Sequence, residues 1–431
     1  MKVVIMAGGK GSRIASVAND VPKPMIKIEN KPVLEHEIEC LKEQGFTDII
    51  LTVGYKGDII RDYFGDGSGN SPVTGRPFGV DIQYYFEDTP LGNGGALFKI
   101  KDQLTEDFLL LNGDVMFSVD FNRFVTFHKE HGGLATLFTH PNNHPYDSGL
   151  IIAGEDGVVE KWLAKEDERP CYYHNCVNAG LHVLSPELLN REFDSPRIDL
   201  DRQILKPLAG TGRMFCYDSS EYVKDMGTPE RYYSVCDDFE KGLVKGKNLR
   251  NRQKAVFLDR DGTINQYVGF LRDINEFQLI DGVAEAIHMI NSSGYLAIVV
   301  TNQPVIARGE MSCEELTEIH KKMETLLGHE GAYLDAVYWC PHHPHKGYEG
   351  ERPELKIDCE CRKPKPGMLL QAAADYNIDL NRSWMIGDSE IDMKAGKAAG
   401  CKTAFIGSGD YGQEMRVHSL LEFAEILTKG R

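Results

Sequence analysis

The sequence predicts an α/β protein of two Rossmann-like, three-layer domains, and three observations carry that prediction. Short apolar runs alternate with stretches of helical periodicity, the pattern of parallel strands joined by crossover helices. Several apolar runs stop abruptly in glycines or carboxylates, where open α/β sheets hold their ligands. The chain has 431 residues, more than one hydrophobic core commonly organises. A polar, basic stretch without apolar periodicity, 241–253, reads as a linker and divides the chain into 1–240 and 254–431.

Composition narrows the class. Hydrophobic residues at 42% and charged residues at 26% suit a soluble globular protein. The net charge of −17 argues against a nucleic-acid or acidic-membrane surface. No apolar run is long enough to span a bilayer, and 1–10 lacks the features of a signal peptide. A cytoplasmic location is therefore expected. The ten cysteines then sit in a reducing compartment, and clustered ones suggest metal rather than disulfides.

In the first half, 2–6 is an apolar strand running into Gly8, Gly9 and Gly11, whose backbone admits a close phosphate chain. Arg13 adds a planar cation and Lys23 a point charge. No Gly-Lys-Ser/Thr follows at P-loop spacing. Helices are predicted over 33–44 and 56–64, strands over 48–53 and 81–87, and a loop over 65–79. Gly92 lies in a second flexible loop before a helix. The apolar run 108–111 ends in Asn112-Gly113-Asp114, and 223–229 puts Asp225 before a turn and a helix. Asp114 and Asp225 together would clamp a Mg²⁺ ion; singly, each also suits a turn or helix cap.

The set Gly8-Gly9-Lys10-Gly11-Ser12-Arg13, Pro22-Lys23-Pro24, Pro90-Leu91-Gly92, Asn112-Gly113-Asp114, Glu160-Lys161, Asn178-Ala179-Gly180 and Asp225-Met226-Gly227 resembles the sugar-1-phosphate nucleotidyltransferases. The resemblance implies a GT-A-like fold and the reaction NTP + sugar 1-phosphate → NDP-sugar + pyrophosphate. It implies that Gly8, Gly9, Gly11 and Arg13 hold the triphosphate, with Gly92, Asn112 and Asn178 at the substrates. Lys23 would stabilise the α-phosphate, Asp114 and Asp225 would bind Mg²⁺, Glu160 would meet sugar hydroxyls and Lys161 the sugar phosphate. The attacking phosphate is already an anion, so positioning and charge neutralisation are the whole task.

The second half turns on 255–263, an apolar run ending in Asp259, Arg260, Asp261 and Gly262. Two acids one residue apart at a strand tip cost free energy unless a cation holds them, which points to a divalent metal. A helix is predicted over 281–293 and a strand over 296–300 with Thr301, Asn302 and Gln303 at its tip. The helix over 312–327 opens on Ser312 with Glu315 three residues on, a capping-box signature. Cys340 and His342, then Cys359 and Cys361 across a Pro/Gly-rich loop, supply four ligands for a closed structural Zn²⁺ site, with His343 and His345 as rival ligands. Arg362 and Lys363 follow directly, and Asp388, with Asp392 a turn later, sits at a further strand tip.

This constellation resembles the haloacid dehalogenase phosphohydrolases, in the branch of heptose bisphosphate and histidinol phosphate phosphatases. The resemblance implies Asp259 as nucleophile, Asp261 as acid and base, Thr301 and Lys363 on the phosphoryl group, and Asn302, Gln303, Arg308 and Arg362 at the substrate. Mg²⁺ would be held by Asp259, Asp388 and the backbone of Asp261. No large cap is expected. Joined, the halves imply a bifunctional enzyme that takes D-glycero-α-D-manno-heptose 1,7-bisphosphate to the 1-phosphate and then, with GTP, to GDP-heptose. Histidinol phosphate, mannose or glucose 1-phosphate, and a first half that only senses a nucleotide sugar are the competing readings. The expected partners are sugar phosphates and an NTP, with no nucleic acid and no membrane; a homo-oligomer is left open.

Overall fold

The computed structural model describes residues 1–9, 11–18, 20–154 and 156–429, with the side chains of Ser12, Ala15 and Ala18 left aside. Lys10, in the first glycine-rich loop, lies outside the described residues. The chain divides into two compact units. The first is Met1–His140, Gly149–Ala164 and Asn178–Asn248. The second is Pro141–Ser148, Lys165–Val177 and Leu249–Arg431.

The first unit is built on a nine-stranded sheet in which Val3–Ala7 is an interior strand. Val3, Val4 and Ile5 have no exposed surface, as a central parallel strand covered on both faces requires. Asp48–Val53 and Phe108–Asn112 pair with it in parallel on either side, and Asp81–Phe86 extends the sheet beyond Asp48–Val53. Beyond Phe108–Asn112 the sheet becomes mixed, because Val177–Leu184 joins antiparallel. The chain order reverses between Val3–Ala7 and Phe108–Asn112, which opens a crevice at their carboxyl ends. Gly8 and Asp114 leave the sheet there. Helix Val33–Lys42 buries Val33, Leu34, Ile38 and Leu41, the spacing of one helical face.

The second unit has an all-parallel six-stranded sheet. Its order is Ala336–Cys340, Leu296–Asn302, Ala255–Leu258, Trp384–Gly387, Lys402–Ile406 and Met415–Val417. Ala255–Leu258, first in the chain, has its successors on both flanks, so this sheet also carries a switch point at its centre. Asp259, Thr301 and Asp388 are therefore brought together by strand adjacency alone.

Two features depart from the sequence reading. Within 241–253, Leu243–Gly246 forms a helical turn that buries Leu243 and Val244. Pro141–Ser148 and Lys165–Val177, from the first half of the sequence, pack within the second unit. There the buried Glu324 carboxylate of helix Cys313–His329 accepts from His174 Nδ1 at 2.6 Å and from the Asn175 N–H at 2.7 Å. The Thr325 hydroxyl meets both the N–H and the carbonyl of Tyr173.

Candidate active sites

In the first unit a cavity of about 870 Å³ opens at the carboxyl end of the sheet. Gly8, Gly9, Gly11, Arg13, Lys23, Gly92, Asn112 and Asp114 all line it, together with Glu87 and Asp88. The wall needs its glycines: a Cβ on Gly92, at φ +77°, would run into the Ile198 carbonyl. Lys23 is 6% exposed, and its Nζ lies 2.5 Å from Asp114 Oδ2 and 3.4 Å from Asp225 Oδ1. The two carboxylates read from sequence as a metal clamp thus converge on one ammonium.

Arg231, which the sequence reading passed over, reaches Asp225 Oδ2 at 2.5 Å. Burial pushes the Asp225 carboxyl up, but Lys23 and then Arg231 outweigh it and hold the group below the ordinary carboxylate range. The other expected sugar-side residues stand elsewhere. Glu160 and Lys161 are exposed on strand Val159–Leu163 and, like Asn178, are not part of the cavity wall. Asn178 Oδ1 accepts from His182 Nε2 at 3.2 Å and from the Gly180 N–H at 3.3 Å.

In the second unit, Asp259 follows the fully buried strand Ala255–Leu258 and is 8% exposed. Lys363 Nζ donates to Asp259 Oδ1 at 2.7 Å, Asp392 Oδ1 at 2.6 Å and the Val300 carbonyl at 2.8 Å. Burial, and next the Asp392 charge, pushes the Asp259 carboxyl up to about 7 against the pull of Lys363. Burial and Asp392 likewise push Asp388 up to about 6. Oxygen atoms of Asp259, Asp388 and Asp392 lie within 4.8 Å of one another. A carboxylate cluster in which Asp259 and Asp388 resist ionisation suits a hard divalent cation. Gly262 makes room for it: at φ +84°, a Cβ there would collide with the Asp388 carboxylate. Asp392 also closes the N-terminus of helix Glu390–Ala399 through a capping box with Ser389.

The Asp261 side chain turns away from that cluster to other donors. Arg260 Nη2 meets both its oxygens, at 2.8 and 2.9 Å. Gln303 Nε2 reaches Oδ2 at 2.9 Å and Asn265 Nδ2 reaches Oδ1 at 3.1 Å. Burial raises the Asp261 carboxyl, and these donors, Arg260 first, bring it below the ordinary range. Gln303 Nε2 also donates to Thr301 Oγ1 at 2.9 Å. Asn302, expected at the substrate, clamps the Lys363 peptide: Nδ2 donates to the Lys363 carbonyl and Oδ1 accepts its N–H, both at 3.0 Å. Arg260, fully buried, was missed in sequence, although an Arg between two strand-tip acids is a signal for it.

Cys340, His342, Cys359 and Cys361 converge with ligand atoms within 4.8 Å of one another. The sulfur–sulfur separations are 3.2 to 3.5 Å, and His342 Nδ1 is 3.4 Å from Cys361 Sγ. Three thiols and an imidazole at that spacing form a candidate zinc site. The rival ligands bond elsewhere: His343 Nδ1 is 3.3 Å from the His345 carbonyl. Arg362 Nη1 donates to the His342 carbonyl at 3.0 Å, which ties the cluster to the Arg362–Lys363 turn.

Residues 2–242 match the nucleotidyl transferase family, and residues 360–425 match the HAD-hydrolase-like family. The chain belongs to the nucleotidyl transferases in its first part and to the HAD phosphatases in its second, and is a bifunctional nucleotidyltransferase and phosphatase. The second part is similar to D-glycero-beta-D-manno-heptose-1,7-bisphosphate 7-phosphatase of Pasteurella multocida, 47% identical over 154 residues, 36% of this chain and 81% of that protein. The first part is similar to probable mannose-1-phosphate guanylyltransferase 2 of Oryza sativa, 30% identical over 237 residues, 54% of this chain and 63% of that protein. Among solved structures, a D,D-heptose 1.7-bisphosphate phosphatase from B. bronchiseptica complexed with magnesium and phosphate matches at 31% identity and TM-score 0.37, over 42% of this chain and 100% of that one. Among the described residues no helix is long and apolar enough to cross a membrane.

Proposed function

We propose that the second unit removes the 7-phosphate of D-glycero-α-D-manno-heptose 1,7-bisphosphate and that the first transfers a guanylyl group from GTP to the resulting heptose 1-phosphate. The observation that carries the reading is common to both units. A buried lysine ammonium stands between two carboxylates, Lys23 between Asp114 and Asp225 and Lys363 between Asp259 and Asp392. Each such centre suits a phosphoryl group arriving together with a divalent cation. The heptose substrate is supported by the identity to the Pasteurella phosphatase, and guanylyl transfer by that to the rice protein.

In the phosphatase, an Asp259 oxygen attacks the 7-phosphorus and the bond from phosphorus to the sugar oxygen breaks. Asp261 gives its proton to that oxygen. Water then attacks the aspartyl phosphate, Asp261 takes the water's proton, and phosphate leaves with Asp259 restored. Like-charge repulsion from the incoming phosphoryl group favours protonated Asp261 in the first step. The Arg260, Gln303 and Asn265 donors favour its ionised form in the second. Lys363 and Thr301 hold the phosphoryl oxygens. Mg²⁺ held by Asp259, Asp388 and the Asp261 backbone would neutralise phosphoryl charge. Cys340, His342, Cys359 and Cys361 would hold Zn²⁺ as a structural ion.

In the transferase, an oxygen of the sugar phosphate attacks the α-phosphorus of GTP and pyrophosphate leaves. Gly8, Gly9, Gly11 and Arg13 hold the triphosphate, and Lys23 steadies the charge on the α-phosphate. Asp114 and Asp225 would hold the second Mg²⁺.

The test offers the protein, with Mg²⁺, both anomers of the bisphosphate, and then four NTPs with heptose 1-phosphate, reading phosphate and pyrophosphate. Turnover of the α anomer and of GTP is expected to exceed the alternatives. The name of the Pasteurella relative carries the β anomer, so a β preference would overturn the anomer and leave the chemistry. Asp259→Asn is expected to abolish phosphate release and spare pyrophosphate release; equal loss of both would contradict separate centres.

A further inference from the structure

Arg308 follows the short helix Pro304–Ala307 and is 8% exposed. Its guanidinium carbon lies 4.0 Å from the centroid of the Phe270 ring and 4.5 Å from that of Tyr348, inside the range of cation–π attraction. Nη2 faces His343 Nε2 at 3.5 Å, and the buried Nε has no partner.

Tyr348 is itself held. Glu351 Oε2 accepts the N–H groups of Gly347 and Tyr348 at 2.9 and 3.0 Å. Lys356 Nζ lies 4.4 Å from the centre of the Tyr348 ring, 3.3 Å from Glu351 and 3.0 Å from the His345 carbonyl, and its side chain has no exposed surface. The loop is keyed to the turn that bears Arg308. The Arg352 N–H donates to the Ala307 carbonyl at 3.0 Å, and a Cβ on Gly309, at φ +72°, would strike the Gly350 carbonyl. Arg308 and Lys356 thus share the Tyr348 ring, and the acid held at that loop, Glu351, is paired with Lys356.

A guanidinium recognises phosphate through donors lying in one plane, so whatever fixes that plane fixes the recognition. We infer that Tyr348, together with Phe270, is a positioning residue that sets the plane of Arg308 toward the substrate phosphate that is not hydrolysed, and so sets the preference for a bisphosphate over a monophosphate ester. This rests on the reading of Arg308 as a substrate contact. The scissile phosphate already has Lys363 and Thr301; the second anion is what the Arg308 cluster can take.

The experiment measures kcat and KM of the full chain with Mg²⁺ on the heptose bisphosphate and on p-nitrophenyl phosphate. It compares Tyr348→Phe, which keeps the ring face, with Tyr348→Leu, which keeps bulk without it. Tyr348→Leu is expected to raise KM for the bisphosphate roughly tenfold and to lower the ratio of the two kcat/KM values accordingly, while Tyr348→Phe keeps that ratio. Phe270→Leu gives the same direction and serves if Tyr348→Leu does not fold. A ratio unchanged in both leucine variants, or lost equally in Tyr348→Phe, overturns the inference. Arg308→Gln separates the two levels. If it lowers the ratio where the leucine variants do not, positioning fails and the substrate contact stands; if it leaves the ratio alone, the substrate contact fails and the positioning role with it.

Discussion

Lys363 shows how much one side chain carries. Its ammonium neutralises two carboxylates inside the fold, and burial would lower its affinity for the proton were Asp259 and Asp392 not there to raise it. Removing one member of such a set leaves unbalanced charge in a low dielectric, commonly at a cost of about 3–5 kcal/mol. Lys363→Met is therefore expected to destabilise the second unit by about that amount and to abolish phosphate release. Adding Asp392→Asn should recover part of the stability and none of the activity, because the two sites share one interaction. Denaturant melts of the two single variants and the double variant check this; strict additivity would mean that the contacts do not act as a set. At this scale the sequence was legible where an acid ended an apolar run, as with Asp259, Asp114 and Asp388. It was silent on partners supplied from far along the chain. Gln303 bridging Thr301 to Asp261 and Asn302 clamping the Lys363 peptide both depend on tertiary placement that no local pattern encodes.

At the scale of elements, helix Cys313–His329 was readable because its code is local. Ser312 accepts the Glu315 N–H at 3.1 Å, Glu315 returns the bond to the Ser312 N–H at 2.7 Å, and Leu316, Ile319, Met323 and Leu327 form its buried face. The antiparallel entry of Val177–Leu184 was not readable, since pairing direction is settled by the rest of the sheet. The loop from Cys340 to Cys361 stands between these cases. Its ligands follow from spacing, but little apolar surface is available to fold it, so an ion bound there would substitute for a core. Removal of zinc by a chelator, or Cys359→Ser with Cys361→Ser, is expected to lower the melting temperature of the second unit and to cut phosphate release, because Arg362 is tied to the His342 carbonyl and Lys363 is the next residue. Pyrophosphate release should hold. An unchanged melt of the second unit after confirmed metal loss would count against a structural ion.

Across the whole molecule, each unit keeps titratable groups neutral in its interior, and acid should find them. Burial holds His36 and His182 of the first unit down to about 4, and burial followed by the Arg260 charge holds His320 of the second down to about 3. The sign follows from proton counting. Between the ordinary value of 6.5 and the folded value, the unfolded chain binds a proton that the folded chain does not, so stability falls as pH falls through that window and is unaffected above it. For one histidine the slope is about 1.4 kcal/mol per pH unit. Burial raises Asp259 and Asp388, which gives the opposite sign in the metal-free protein, so the informative quantity is the difference between two forms of the Mg²⁺-loaded protein. His320→Gln can keep an acceptor for Arg260 Nη1, which lies 3.4 Å from His320 Nε2, while removing the titrating group. Urea melts of the second unit at pH 7.5, 6.5 and 5.5 should show wild type losing ground to this variant by about 1 kcal/mol between the last two points and by about 0.4 kcal/mol between the first two. Parallel profiles would mean that His320 is protonated in the fold, and the neutral acceptor assigned to it beside Arg260 would have to be withdrawn.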